Sequence, residues 1–209
     1  MNLRRLCAAV LLVLISTATL AAAQSKNELG LLLGATLVPD QNLQPNIFSA
    51  SNIKFSKGTT YQATYARRLF GAGIAGLQFE IPFLGVPNAD IRSSNPLVPT
   101  ALASLFVTPA LRLKLLPDAG ISPWVSLGGG LARFDEGTKL QDGSSNPGSH
   151  GTNKGVIEYG GGIDIKLIRY LGVRGEVRDF YSGRPQLNAL TSTDRQHNIV
   201  VSGGFVLFF

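Results

Sequence analysis

Nine charged residues recur at alternate positions within otherwise apolar segments: Glu80, Arg112, Lys114, Glu158, Asp164, Lys166, Arg174, Glu176 and Arg178. Four acids and five bases on one parity can do two kinds of chemistry. Enclosed together, they neutralise one another as a salt-bridged plug. Lined along a gated, water-filled passage, they pass ions. An enclosed charge without a partner costs several kcal/mol, on the order of a buried ion's desolvation.

Other motifs are weaker. Gly71, Gly73 and Gly76 spell the G-x-G-x-x-G of dinucleotide sites, which needs a strand before it and a helix after it. Here it leads into Leu77-Gln-Phe79-Glu-Ile81-Pro82, which alternates and contains proline, so it reads as a tight turn entering a strand. The two histidines are His150, in a Gly/Ser-rich segment, and His197. Ester hydrolysis needs a nucleophile, a base and an orienting acid brought together. Ser202 is the serine nearest to His197, but five residues along a strand places the pair on opposite faces about 16 Å apart. No catalytic residue, cofactor site or metal site is read from these residues.

The elements that carry the nine charges are strands, because apolar residues alternate with small or polar ones throughout. Eight such segments are expected: 28–38, a second ending near Leu69, then 73–84, 103–115, 122–134, 155–167, 171–181, and a last one closing the chain at Phe209. In the third, Leu77, Phe79, Ile81 and Phe83 oppose Gly76, Gln78 and Glu80. Pro109 cannot donate to a ladder and predicts a bulge. Arg133 and Asp179 fall on the apolar parity near strand ends. The connections alternate: about 39–58, 85–102, 135–154 and 182–196 are long, whereas 70–72, 116–121 and 168–170 are short. Ile53, Phe55 and Lys57 extend the parity of the second strand, so the first long loop is expected to rise as a hairpin. The polar parity also holds Gly30, Gly34, Gly76, Gly128, Gly130, Gly160, Gly162, Gly172 and Gly204. Small residues suit the crowded lumen of an eight-stranded barrel better than a water-facing skin, which puts the apolar parity outside. Tyr61, Tyr65, Trp124, Tyr159, Tyr170 and Tyr181 are then expected in interfacial girdles.

The N-terminus reads as a secretory signal: Arg4 and Arg5, an apolar run from Leu6 to Leu20, then Ala21-Ala22-Ala23, with cleavage expected after Ala23. Residues 1–23 are expected to be removed, leaving 24–209 as one barrel domain. Cys7 precedes the apolar run, where a lipid-anchored cysteine would have to follow it. Its loss leaves no disulfide, thiol nucleophile or thiolate site in the mature chain. Removal of Arg4 and Arg5 from the 19 basic residues leaves 17 against 13 acids, spread without blocks, and no nucleic-acid footprint. After residue 23 no apolar stretch is long enough for a membrane helix.

The chain end Ile199-Val-Val-Ser-Gly-Gly-Phe-Val-Leu-Phe-Phe209 resembles the terminal strand of bacterial outer-membrane proteins. Val201, Phe205, Leu207 and Phe209 match its alternate apolar positions and aromatic last residue; Gly203 interrupts it. With the eight-strand layout, the mature chain resembles the OmpA/OmpX-like small outer-membrane β-barrel superfamily over its full length. That resemblance implies an all-β fold, an eight-stranded antiparallel up-and-down transmembrane barrel in the outer membrane of a Gram-negative-type bacterium. It implies that the terminal motif is read by the barrel-assembly machinery, with periplasmic chaperones as transient partners and outer-membrane lipid as the permanent one. Because the sequence stops at the terminal strand, the peptidoglycan-binding domain that follows the barrel in some relatives is expected to be absent. The expected function is non-enzymatic, structural or interaction-mediating, through four long extracellular loops whose partners the sequence does not name. The alternatives are a rim-located lipid-modifying enzyme, a small pore and a soluble lipocalin-like binding barrel.

Overall fold

A computed structural model describes residues 26–42, 52–148, 151–188 and 194–209. The expected leader (1–23) and His150 lie outside the described residues. The strands are β1 (Asn27–Leu37), β2 (Gln41–Asn42), β3 (Asn52–Phe55), β4 (Gly58–Ala72), β5 (Ala75–Ser93), β6 (Ala101–Val107), β7 (Ala110–Leu115), β8 (Ile121–Glu136), β9 (Thr152–Ile168), β10 (Leu171–Gly183), β11 (Arg195–Gln196) and β12 (Ile199–Phe208).

Each long strand pairs antiparallel with its neighbours in the wall, and β1 closes the ring by pairing with β12 from Glu28↔Phe208 to Leu37↔Ile199. Asn27 and Phe209 extend this seam with two backbone hydrogen bonds of 2.8 and 3.0 Å. β6 and β7 act as one wall strand, since both pair with β5 and β8. The result is an eight-stranded antiparallel up-and-down barrel of the transmembrane type. Closure leaves no open edge, the condition for a sheet to cross hydrocarbon.

The alternation that forms the strands also sorts their faces. Leu31, Leu33, Leu127, Leu131 and Phe205 point outward, with Leu127 64% and Phe205 60% exposed, whereas Glu80, Arg112 and Glu158 are fully buried in the lumen. A soluble lipocalin-like barrel requires the reverse arrangement. The start of β1, the end of β12 and the short turns lie at one end of the wall, and the strand ends that bear the long connections lie at the other.

Three local features differ from the sequence reading or refine it. The wall strand containing Pro109 breaks at Thr108–Pro109, yet Phe106, Ala110, Arg112 and Lys114 all stay inside, so the break does not change the parity. β8 accommodates the break with glycine: a Cβ on Gly130 would collide with the Val107 carbonyl, and one on Gly128 with Ala110 and the Pro109 carbonyl. β5 runs to Ser93, well past the expected end near residue 84, with an irregularity between Val86 and Ala89. It continues because Leu84, Val86 and Ile91 keep burying apolar side chains. β3 carries the register of β4 onward along β5 (Tyr61↔Gly85, Phe55↔Ile91), and β2 folds back on β3 as a small hairpin.

Candidate functional site

The lumen has two tiers. The tier nearer the termini is polar and is built around two anionic centres and one cationic one. Glu28, at the start of β1, accepts from Lys114 Nζ (2.7 Å) and Gln78 Nε2 (2.7 Å) at Oε1, and from Arg174 Nη2 (2.8 Å) and Arg112 Nη1 (3.3 Å) at Oε2. Asp164 accepts from Arg174 Nε (2.6 Å) and Nη2 (2.7 Å) and pairs with Lys114 Nζ at 2.6 Å. Above them, Arg178 binds Glu176 (Nε–Oε1 2.7 Å), Glu80 (Nη1–Oε1 2.9 Å) and Glu158 (Nη1–Oε1 2.8 Å). Arg112 links the levels, pairing with Glu28 below and Glu80 above. Gln62 donates to Glu176 at 2.6 Å, and Ser126 donates to Glu158 at 3.0 Å.

Trp124 fills the centre of this tier. Its ring lies 4.2 Å from the Arg112 guanidinium, 4.8 Å from Arg178 and 5.3 Å from Arg174, while its indole N–H donates to Asp164 at 3.2 Å. Stacking on an aromatic face holds guanidinium groups well because they are planar and weakly hydrated. Trp124 is therefore lumenal and not part of an interfacial girdle, which corrects the sequence reading. Tyr61, Tyr65, Tyr159 and Tyr170 do face outward.

Of the nine charges singled out, the structure brings together Glu80, Arg112, Lys114, Glu158, Asp164, Arg174, Glu176 and Arg178. Lys166 stands apart, half-buried at the mouth near the termini, and donates to the Pro117 carbonyl at 2.8 Å. Glu28 joins the network although the sequence reading left it out of the set. Among the described residues the network thus holds five carboxylates and four cations. Its signal was available, since Glu28 opens the polar parity of the first strand.

The outer tier is apolar. Phe106 packs edge-on against Phe134 (5.8 Å, 88°) and tilted against Phe180 (5.0 Å, 40°), surrounded by Leu84, Val86, Leu102 and Val200. Val98 and Leu187, from the second and fourth long connections, are buried into the top of this cluster. At its flank Gln41, Gln196, Asn198 and Ser182 form a chain of side-chain hydrogen bonds of 2.7 to 3.1 Å. The lumen is filled by an ionic floor and a hydrophobic ceiling.

On the outer wall near the loop end, His197 Nδ1 lies 2.5 Å from Asp179 Oδ2, Tyr159 donates to the same oxygen at 2.6 Å, and Tyr181 stacks on His197 at 4.7 Å. Asp179 on the apolar parity is thereby paired through Oδ2, while its buried Oδ1 has no hydrogen-bond partner among the described residues, and Arg133 pairs with Asp135 at 3.2 Å. Ser202 is buried in the lumen with its hydroxyl 3.4 Å from both Gln62 and Glu176, away from His197. In the third loop, the Ser144 hydroxyl and amide both donate to Asp142 and hold its carboxyl below the usual Asp range. Val201, Phe205 and Leu207 face outward on β12.

No protein-family model matches the chain, and no curated protein matches its sequence. Its fold is that of small outer-membrane β-barrels. The outer membrane protein OprG from Pseudomonas aeruginosa superposes with a TM-score of 0.61 at 13% identity, over 89% of this chain and 97% of that one. Neisserial surface protein A superposes with a TM-score of 0.55 at 12% identity, over 90% and 99%.

Proposed function

We propose that this chain is a non-enzymatic protein of the bacterial outer membrane, a sealed barrel that anchors and presents four loops for interaction at the cell surface. The observation that carries the reading is the inversion of the usual burial order: apolar side chains cover the outside, and the ion network lies within. That order suits hydrocarbon and is unstable in water. The filled lumen favours a plug over an ion pathway, because its charges are largely paired with one another and lie beneath an apolar ceiling. Function then falls to the loops. In this reading residues 1–23 direct export, periplasmic chaperones escort the unfolded chain, and the assembly machinery reads Val201, Phe205, Leu207 and Phe209.

The first test is electrophoresis of detergent-purified protein with and without boiling, alongside conductance across a planar bilayer. A heat-dependent mobility shift with no steady conductance is the expected result. Solubility in plain buffer with no shift overturns the membrane reading, and steady conductance lost on substituting Arg112 or Glu176 replaces the plug with a pore.

The Asp179–His197 pair favours a second reading, chemistry on a lipid at the outer rim, since it supplies a base and its orienting acid. Among the described residues no Ser, Thr or Cys is bonded to His197. Loss of a lipid-cleaving activity in His197→Ala would establish that reading.

A further inference from the structure

The outer wall is not uniformly covered. On β9, β10 and β12 the outward parity carries Gly161, Gly175 and Gly203 in adjacent rows, with Gly175 paired to both Ile163 and Gly203. Gly161 and Gly175 line a groove of about 740 Å3 on the hydrocarbon-facing side, flanked by Ile163, Val173, Val201 and Phe205, with Gly203 paired to Gly175 beside it.

Packing within the wall does not require Gly175 or Gly203, whereas a Cβ on Gly161 would crowd the Trp124 carbonyl at 3.2 Å. A Cβ on Gly175 would meet nothing within 4 Å, and one on Gly203 only the Arg174 carbonyl at 3.6 Å. The lumen-facing glycines of the same strands differ: a Cβ on Gly160, Gly162, Gly172 or Gly204 would strike backbone or a packed side chain. Glycine weakens a strand and often marks close approach of a ligand. The outward glycines therefore shape a surface for something outside the wall. Gly203 is also the residue that interrupts the terminal apolar motif.

What lies at the groove's lower end identifies the occupant. Val173 is two residues above Leu171, so the groove begins about 7 Å along the strand from the β9–β10 turn. That turn carries exposed Arg169, and the same rim carries Lys26, Arg67 and Arg68. Among the described residues the exposed acidic side chain there is Asp118, already paired with Arg68 at 3.1 Å. From Val173 to Val177 the groove runs about 14 Å along the strand, comparable with the roughly 15 Å of hydrocarbon in one leaflet.

We infer that this groove seats one acyl chain of an anionic phospholipid from the leaflet facing the termini, with its phosphate held by Arg169. The inference rests on the outer-membrane reading above. The apolar channel fixes the chain, the basic rim fixes the headgroup charge, and the two are spaced as a glycerophospholipid spaces them. A zwitterionic lipid fills the groove equally well and lacks the headgroup attraction.

The test is native mass spectrometry of the full-length barrel in mild detergent with added phosphatidylglycerol or phosphatidylcholine of identical chains. The expected result is one tightly retained lipid, phosphatidylglycerol several-fold over phosphatidylcholine. Gly175→Leu and Gly203→Leu should lower retention of both lipids, and Arg169→Gln should abolish only the preference. Unchanged retention in both leucine variants, or a preference that survives Arg169→Gln, overturns the inference. So does a wild-type dimer that the leucine variants convert to monomer, which makes the groove a contact between two copies. Each sample is also run with and without boiling: a normal mobility shift without lipid preference defeats this inference alone, whereas loss of the shift in the wild type defeats the outer-membrane reading as well.

Discussion

Arg178 gathers partners from four strands: Glu80 on β5, Ser126 on β8, Glu158 on β9, and Glu176 on its own strand β10. Removing one partner of a buried network leaves its charges uncompensated, which costs about 3–5 kcal/mol. Arg178→Met, which keeps an unbranched stem and loses the charged head, should therefore lower the temperature at which the compact gel band is lost. Lys166→Met should leave it nearly unchanged, because Lys166 reaches the Pro117 carbonyl and the Phe208 ring and, among the described residues, no carboxylate. At the loop end Asp142 supplies a pH prediction. Its folded carboxyl is depressed, so the stabilisation it gives the third loop is present above the unfolded Asp value and is lost as pH falls through the folded one. Ser144→Ala should move the Asp142 midpoint upward, read from its carboxyl carbon by NMR. These residues were legible to different degrees. The charges on 112, 114, 164, 174 and 178 stand out on their parity, whereas Trp124 was assigned by residue type to a girdle although its even position in the fifth segment already placed it inside.

Among the elements, the broken strand β6–β7 and its neighbour β8 depend on each other. The Pro109 irregularity was legible because proline cannot donate to a ladder. The glycines opposite it were read only as small lumenal residues, because collision with a neighbouring carbonyl is set by the local bend and not by composition. Gly130→Val should abolish folding, since the new side chain enters the Val107 carbonyl, whereas Gly85→Val, whose Cβ meets nothing within 4 Å, should fold normally. The yield of heat-modifiable protein after refolding separates the two. The far end of β5 falls in the stretch 85–102 that the sequence reads as a long connection, since alternation breaks around Pro87-Asn88. The structure absorbs the pair in an irregularity between Val86 and Ala89 and keeps Val86 and Ile91 inside. The apolar ceiling escaped notice for a related reason: Leu102, Phe106 and Phe134 share a parity otherwise recognised by its polar members.

At the level of the whole molecule, the strand count, the direction of alternation and the end bearing the long loops were all readable, since each follows from period and spacing. Which loops descend to cap the lumen was not, because Val98 and Leu187 sit in segments without periodicity. Because Asn27 and Phe209 are hydrogen-bonded neighbours, a circular permutant joining them and opened at Gly143 should fold and keep its heat-dependent mobility shift. The same seam sets an order in time. Glu28 lies on the first strand and Arg174 on the seventh wall strand, 146 residues apart in sequence. Until β12 is in place, β1 has no neighbour on that side, and the charges it shares with the rest of the lumen stay unmet. Pairing of β12 with β1 is what brings Glu28 across to Arg174 at 2.8 Å, so closing the wall and completing its ionic contents are one event.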